Sequence, residues 1–254
     1  MNIDNPSIAD VTLLRSLWRE AFSDTDELLD GFFSRVFSFR RCLCVKEGEE
    51  LIGALYWFDC EYDGKKVAYI YAVATRRDYR GRGVCASLMA RAHECLAGQG
   101  YALAILAPAS EGLFDFYERL GYADCTAITE TVIEASGRAI SLRRIGAEEY
   151  AALRKAMLPK GSVIQDGENL AFLEISAQLY AGDGVLLAIQ GEDSAEDLRI
   201  IELLGNLTFG GDIVSYFGYK RAIARICGES KRFTMCKIFD DAVAKPKYFG
   251  FIFD

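Results

Sequence analysis

A chain of 254 residues, 51% of them hydrophobic, holds enough apolar material for two cores of ordinary domain size. Its net charge of −8 argues against nonspecific binding to nucleic acid or to an anionic membrane. No apolar run approaches the roughly 18 residues of a membrane span, and "MNIDNPSIAD" lacks the basic start and apolar stretch of a signal peptide, so the expected location is the cytoplasm.

In chain order, the periodicity predicts helices over Ile8–Phe22 and Asp24–Val36, then strands near Cys42–Lys46 and Leu51–Tyr62. "YDGK" marks a hairpin turn into Val67–Thr75, an apolar run suited to a strand covered on both faces. After "YRGRGVC" a helix runs to Gln99 and is closed by "GQG". Tyr101–Ala107 reads as a second fully apolar strand. Ser110 is the expected N-cap of a short helix, "EGLFDFYERLGY", stopped by Gly121, and a hairpin is expected over Ala123–Ala135. The eight cysteines are scattered singly, as at Cys60, Cys95, Cys125 and Cys236, which predicts reduced thiols. Cys42 and Cys44 have no second pair at zinc-finger spacing, so no metal site is expected.

The stretch Tyr79–Cys85 carries the chemistry. A strand, a tight glycine turn and a helix start aim free backbone amides and the positive end of the helix dipole at one point, which favours an anion. Gly81 and Gly83 let the backbone approach closely, while Arg80 and Arg82 add charge, an arrangement suited to a pyrophosphate. An ordinary glycine turn with solvated arginines fits the same letters. Neither the Gly-x-x-x-x-Gly-Lys-Ser/Thr loop nor the Gly-x-Gly-x-x-Gly fingerprint occurs here, which argues against a nucleotide fold.

What the loop does match is Arg-x-x-Gly-x-small, in Arg80, Gly83 and Cys85, followed some thirty residues later by "FYERLGY". In these two motifs, and in the order of elements over residues 1–135, the sequence resembles the GNAT family of N-acetyltransferases. The resemblance implies acetyl-CoA as co-substrate. Val73, Ala74 and Thr75 would pair their backbone with its pantetheine arm, and the amides of Gly81, Arg82, Gly83, Val84, Cys85 and Ala86 would hold its pyrophosphate. Cys85 stands where the family usually has glycine or alanine, which predicts slight crowding.

For such chemistry a neutral amine attacks the thioester carbonyl, an oxyanion forms, and the leaving sulfur must be stabilised or protonated. The family position implies Tyr117 as the acid. Tyr117 also shares a helical face with Leu113 and Leu120, the pattern of a core aromatic. Strand Val67–Thr75 offers no carboxylate as base. His93 lies opposite Val84 on its helix and is expected on a solvated flank, and Asp59 and Glu61 read as the wet face of a strand.

The second half starts with "AISLRRI" and predicts helices over Glu148–Met157, Glu168–Tyr180 and Asp212–Arg225. Its strands are expected over Gly184–Gln190, Leu198–Leu204, Phe233–Phe239 and Tyr248–Phe253. This order repeats the first half coarsely. The expected fold is therefore α/β with a mixed sheet, GNAT-like in tandem: a catalytic domain over 1–135 and a degenerate copy over 136–254. In place of the arginine loop the second half has "GNLTFGGD", with an acid at the helix start that repels anions.

Through "VATRRDYRGRG" and "SEGLFDFYERLGY" the chain is further similar to the tandem-GNAT acetyltransferases of the enhanced-intracellular-survival type, which modify aminoglycosides and lysine amines. In that group the terminal carboxylate serves as base beside the tyrosine, which implies Asp254 as a candidate; a simple edge strand is the readier account of "KYFGFIFD". The expected activity is acetyl transfer to a primary amine of a small molecule or peptide, with no nucleic-acid or membrane partner and with oligomerisation left open. A non-catalytic acyl-CoA sensor and a structural adaptor are the alternatives.

Overall fold

The computed structural model describes residues 2–182, 184–190 and 196–253. It is a mixed α/β structure whose chain divides into two compact units. The first comprises Met1–Ala123 and Met235–Lys245, the second Asp124–Thr234 and Pro246–Asp254. This differs from a linear split at residue 135, because segments near the C-terminus return to both units.

The first unit runs β1 (Asn2–Asp4), α1 (Val11–Ala21), α2 (Asp26–Arg35), β2 (Cys42–Glu47), β3 (Glu50–Tyr62), β4 (Lys65–Thr75), α3 (Val84–Gly98), β5 (Leu103–Leu106) and α4 (Glu111–Arg119). Ile8–Asp10, expected as the start of α1, is a 3-10 turn. Thr25 caps α2 by accepting from the Leu28 amide at 3.2 Å. The β3–β4 hairpin turns at Asp63 and Gly64, both with positive φ (52° and 71°), as a tight two-residue turn demands. Strands β1 to β4 pair antiparallel in sequence order, and β5 joins β4 in parallel.

One face of this sheet takes α3 and α4. Val84, Leu88, Met89, Ala92 and Leu96 meet Leu43, Val45, Leu55, Trp57 and Ala104, because a 3.6-residue period brings these apolar positions to one side of the helix. The other face packs rings: Trp18 lies 4.7 Å from Phe32, 5.3 Å from Tyr56 and 5.7 Å from Tyr71, centroid to centroid.

The second unit contains β6 (Ala123–Glu134), β7 (Arg143–Ile145), α5 (Ala147–Met157), the two-residue β8 (Ile164–Gln165), α6 (Glu168–Ser176), β9 (Gln178–Gly182), β10 (Val185–Gln190), β11 (Leu198–Gly205), α7 (Gly210–Tyr216) and β12 (Arg221–Cys227). Its strands lie in the order β6-β12-β11-β10-β9-β7, with only β11 and β12 parallel. Each unit thus has two helices, three antiparallel strands, a helix, and a strand parallel to the third. The last strand, β13 (Lys231–Ile238), is divided between the units; its Met235–Ile238 part pairs antiparallel with β5.

Four expectations need correction. Ala123–Ala135 is no hairpin but one strand, β6: "ADCTAITETVIE" has no glycine, proline or asparagine to turn on, and Ile128–Glu134 pairs along β12. The helix expected to Tyr180 ends at Ser176, where Ala177 turns extended and β9 begins. The helix expected over Asp212–Arg225 ends at Tyr216, Gly218 taking a left-handed φ of 76° just beyond it, and "RAIARIC" is strand β12. Tyr248–Phe253 is not a strand; Tyr248 makes a single bridge to Ser162, and Phe249 and Phe251 are buried as anchors.

Tyr248 and Phe251 belong to a polar cluster inside the second unit. The Glu202 carboxylate accepts from Tyr150 Oη and Arg154 Nε at 2.8 Å, from Arg154 Nη2 at 2.9 Å and from Tyr248 Oη at 3.2 Å. Gln165 Nε2 donates to the Phe251 carbonyl at 2.8 Å, and the Arg154 guanidinium lies 4.8 Å above the Phe251 ring. Every charge there is partnered, as burial requires.

Candidate active site

Strand β4 prepares the site by a defect in its pairing. Ala54 opposes Ala74 but Tyr56 opposes Tyr71, so two residues of β4, Ala72 and Val73, face one of β3. Ala72 sits at φ 46°, an uncommon angle for a residue with a Cβ and one that a bulge imposes. On its other side β4 pairs with β5 only at Val67, Ala68 and Tyr69. From Ile70 to Thr75 that edge has no strand partner among the described residues, so its backbone is open to an extended ligand.

At the end of this open edge stands the loop. Gly81 and Gly83 take φ of 76° and 80°, and Gly83 is the N-cap of α3 with no side chain to cap it. None of the N–H groups from Gly81 to Ala86 bonds to a described residue; helical bonding begins with Ser87 N to Gly83 O at 3.0 Å. A fifteen-residue helix thus points an uncapped N-terminus and a row of free amides one way.

The side chains brace this loop from outside. Arg80 Nε donates to the Thr75 carbonyl at 3.2 Å, and the Arg82 guanidinium lies 5.0 Å over the Tyr79 ring. Tyr79 Oη donates to Glu50 at 2.9 Å, and Glu50 also holds Arg76. Both arginine forks remain exposed, close enough to screen an anion.

A cavity of about 290 Å³ gathers Thr75, Arg80, Gly81, Gly83, Val84, Cys85 and Ala86, together with Tyr79 and Phe116, which sequence reasoning missed. Phe116 precedes Tyr117 on α4, the one signal that pointed to it. The Thr75 hydroxyl is buried with no hydrogen-bond partner, an orphaned polar atom at the cavity wall. Val73, Ala74, Arg82 and Tyr117 do not line the cavity; the first two lie along the open edge of β4, Arg82 on Tyr79, and Tyr117 in the core cluster with Val84 and Leu88. The residues present fit a pyrophosphate-bearing, extended ligand such as acetyl-CoA: amides for the anion, an open strand edge for the arm, and an unsatisfied hydroxyl between them.

Tyr117 is buried at 8% exposure, its ring 5.8 Å from that of Tyr122, and its hydroxyl bonds to no described residue. Burial, with the Cys85 thiol adding to it, pushes the phenol above its ordinary value. Burial likewise raises Cys85 to about 11, so its side chain is a neutral thiol. Asp59 is exposed, accepting from Tyr101 and, at 3.3 Å, from Arg41; Glu61 is exposed as well. Asp254 lies outside the described residues. His93 is not on a solvated flank: it is half-buried, with Nε2 3.0 Å from Tyr122 Oη and its ring 5.9 Å from that of Phe239. Phe239 comes from beyond β13, a contact helical periodicity cannot foresee.

The matching junction of the second unit carries an acid in place of the arginines. Asn206 accepts from the Thr208 amide at 3.1 Å, and the first turn of α7 carries Asp212, whose carboxylate takes Ser136 Oγ and Arg138 Nε, the latter at 3.0 Å. These partners, Ser136 first, hold Asp212 below the usual carboxylate range. Among the described residues no His, Cys, Asp and Glu side chains group to hold a metal, and no helix is long and apolar enough to cross a membrane.

Residues 2–125 match the family model of the acetyltransferase (GNAT) domain. No curated protein matches the chain. Among solved structures, a GCN5-related N-acetyltransferase from Kribbella flavida is 18% identical, covering 94% of this chain and 71% of its own, with a TM-score of 0.71. A conserved protein of Enterococcus faecalis V583, described as a probable N-acyltransferase, is 16% identical over 94% and 73%, also at 0.71. Eis1 from Mycobacterium abscessus is 16% identical over 94% and 74%, at 0.67. At such identities the likeness is one of fold.

Proposed function

We propose that the chain is an acetyl-CoA-dependent N-acetyltransferase whose first unit carries the reaction and whose acceptor is a primary amine of a small molecule or peptide. The observation that carries this reading is the junction itself: free amides from Gly81 to Ala86 beside the unpaired edge of β4, with the orphaned Thr75 hydroxyl in one cavity. In this reading the amides and the α3 N-terminus hold the pyrophosphate, and Val73, Ala74 and Thr75 take the pantetheine arm as a strand would.

Acetyl-CoA supplies the activated acyl group. Tyr117 stays protonated at neutral pH because burial disfavours its phenolate, so a proton is available for the departing sulfur. The second unit, with the same element order and an acid, Asp212, in the first turn of α7, is read as a degenerate copy without a cofactor site.

A turnover screen with acetyl-CoA across polyamines, aminoglycosides and lysine peptides tests the reading. Release of free CoA with acetylation of at least one amine is expected. Tight CoA binding without transfer to any of them favours a sensor, and failure to bind CoA removes the proposal.

A further inference from the structure

The chain has one histidine, and it is half-buried in the first unit behind the proposed acid. Tyr122, 2% exposed, has the His93 Nε2 as the partner of its hydroxyl at 3.0 Å. A tyrosine hydroxyl this deep donates to a partner when one is in reach. His93 is suited to accept: burial first, and the Lys237 cation second, push its pKa down to about 4, so the ring is neutral at physiological pH, and in the tautomer with its proton on Nδ1 the Nε2 lone pair faces Tyr122.

Tyr122 in turn touches Tyr117 twice. Its ring meets the Tyr117 ring edge-on at 5.8 Å, and its amide donates to the Tyr117 carbonyl at 3.1 Å just beyond the end of α4. Lys237 closes the same helix end, its Nζ donating to the Leu120 carbonyl at 2.8 Å. Tyr117 itself has no hydrogen bond to a described residue that would fix the direction of its phenol. Its aim therefore depends on the rings around it.

We infer that His93, acting through Tyr122, is a positioning residue that holds the Tyr117 phenol in line with the leaving group. The inference rests on the acetyltransferase reading, in which Tyr117 is the acid. His93 touches neither cofactor nor substrate here; it sets Tyr122, and Tyr122 sets Tyr117.

The test is a cycle of His93→Phe, His93→Gln, Tyr117→Phe and the double variant Tyr117→Phe/His93→Phe, read as kcat and acetyl-CoA KM. His93→Phe is expected to lower kcat about 5- to 10-fold, the worth of one neutral hydrogen bond, with KM within about twofold. His93→Gln, which keeps a polar atom for Tyr122, restores most of it. In the Tyr117→Phe background His93→Phe costs nothing more. Equal losses in both backgrounds, or a loss that His93→Gln fails to restore, overturn the inference.

A second readout needs no turnover. In protein carrying ring-labelled tyrosine, the Tyr117 resonance, assigned by its loss in Tyr117→Phe, moves in His93→Phe and stays in place in His93→Gln. A resonance unmoved in His93→Phe overturns the contact on which the inference stands. A resonance that moves in His93→Phe, when the parent protein acetylates no amine, counts against the acetyltransferase reading and leaves the His93–Tyr122–Tyr117 linkage intact.

Discussion

At the first junction, between Thr75 and α3, a strand hands over to a helix through two left-handed glycines and leaves the helix start uncapped. At the second, between Gly205 and α7, the same hand-over ends with Asp212 in the first helical turn, bonded to Ser136 and Arg138. The backbone plan is shared, a helix leading to a strand parallel to the one before it. Neither helix has a side-chain cap; what differs is what stands at its start, exposed arginines and free amides at the first, an acid in the first turn and a Gly210 amide bonded to the Leu207 carbonyl at the second. A fold therefore does not make a ligand site. In the proposed reading the site arises where the helix-start amides are left free.

The largest effect expected from this comparison lies on the reactive side of the first junction. Tyr117→Phe should keep CoA affinity and lower turnover by roughly 10²- to 10⁴-fold, the usual worth of a positioned acid. Steady-state rates beside a CoA titration check it. Turnover within a few-fold of the parent would make Tyr117 a core aromatic, and the acid would have to be sought elsewhere.

In the second unit the buried polar atoms serve the fold. Glu202→Gln removes the charge that Arg154 was buried against, which should destabilise the protein by about 3–5 kcal/mol in denaturant melts. A loss below about 1 kcal/mol would mean that the cluster is relaxed by water or by movement of the Tyr248–Phe253 segment.

A smaller effect belongs to His93. Its folded pKa, about 4, lies below the ordinary 6.5, so between these values the unfolded chain binds the extra proton. Stability from the buried neutral ring is complete above about pH 6.5 and is lost as pH falls toward about 4. Melting temperatures recorded across that window should slope more steeply for the parent than for His93→Gln, and parallel curves would show that His93 titrates normally.

The uncapped glycine loop before α3 was legible in the sequence because its information is local: glycines, arginines and a helix start within seven residues. The open edge of β4 was not, since it depends on Ala72 taking a positive φ that alanine does not announce, and on β5 parting from β4 after Tyr69. The surroundings of His93 were hidden for a related reason. Helical phase placed it away from Val84, yet Phe239 and Lys237 reach it from a segment more than a hundred residues on, where Met235–Ile238 pairs with β5. The helix overrun past Tyr216 came from reading apolar spacing through Gly218, where the backbone stops helical growth.

The most direct test of the contrast between the two junctions is the number of CoA molecules bound per chain, measured by calorimetry on the parent and on Gly83→Glu. The substitution puts a carboxylate on the uncapped start of α3 and an L side chain at a φ of 80°. One site per chain, abolished by Gly83→Glu, is the expected result. Two sites, or one site that survives Gly83→Glu, would contradict the assignment of the loop between Gly81 and Ala86 as the anion site.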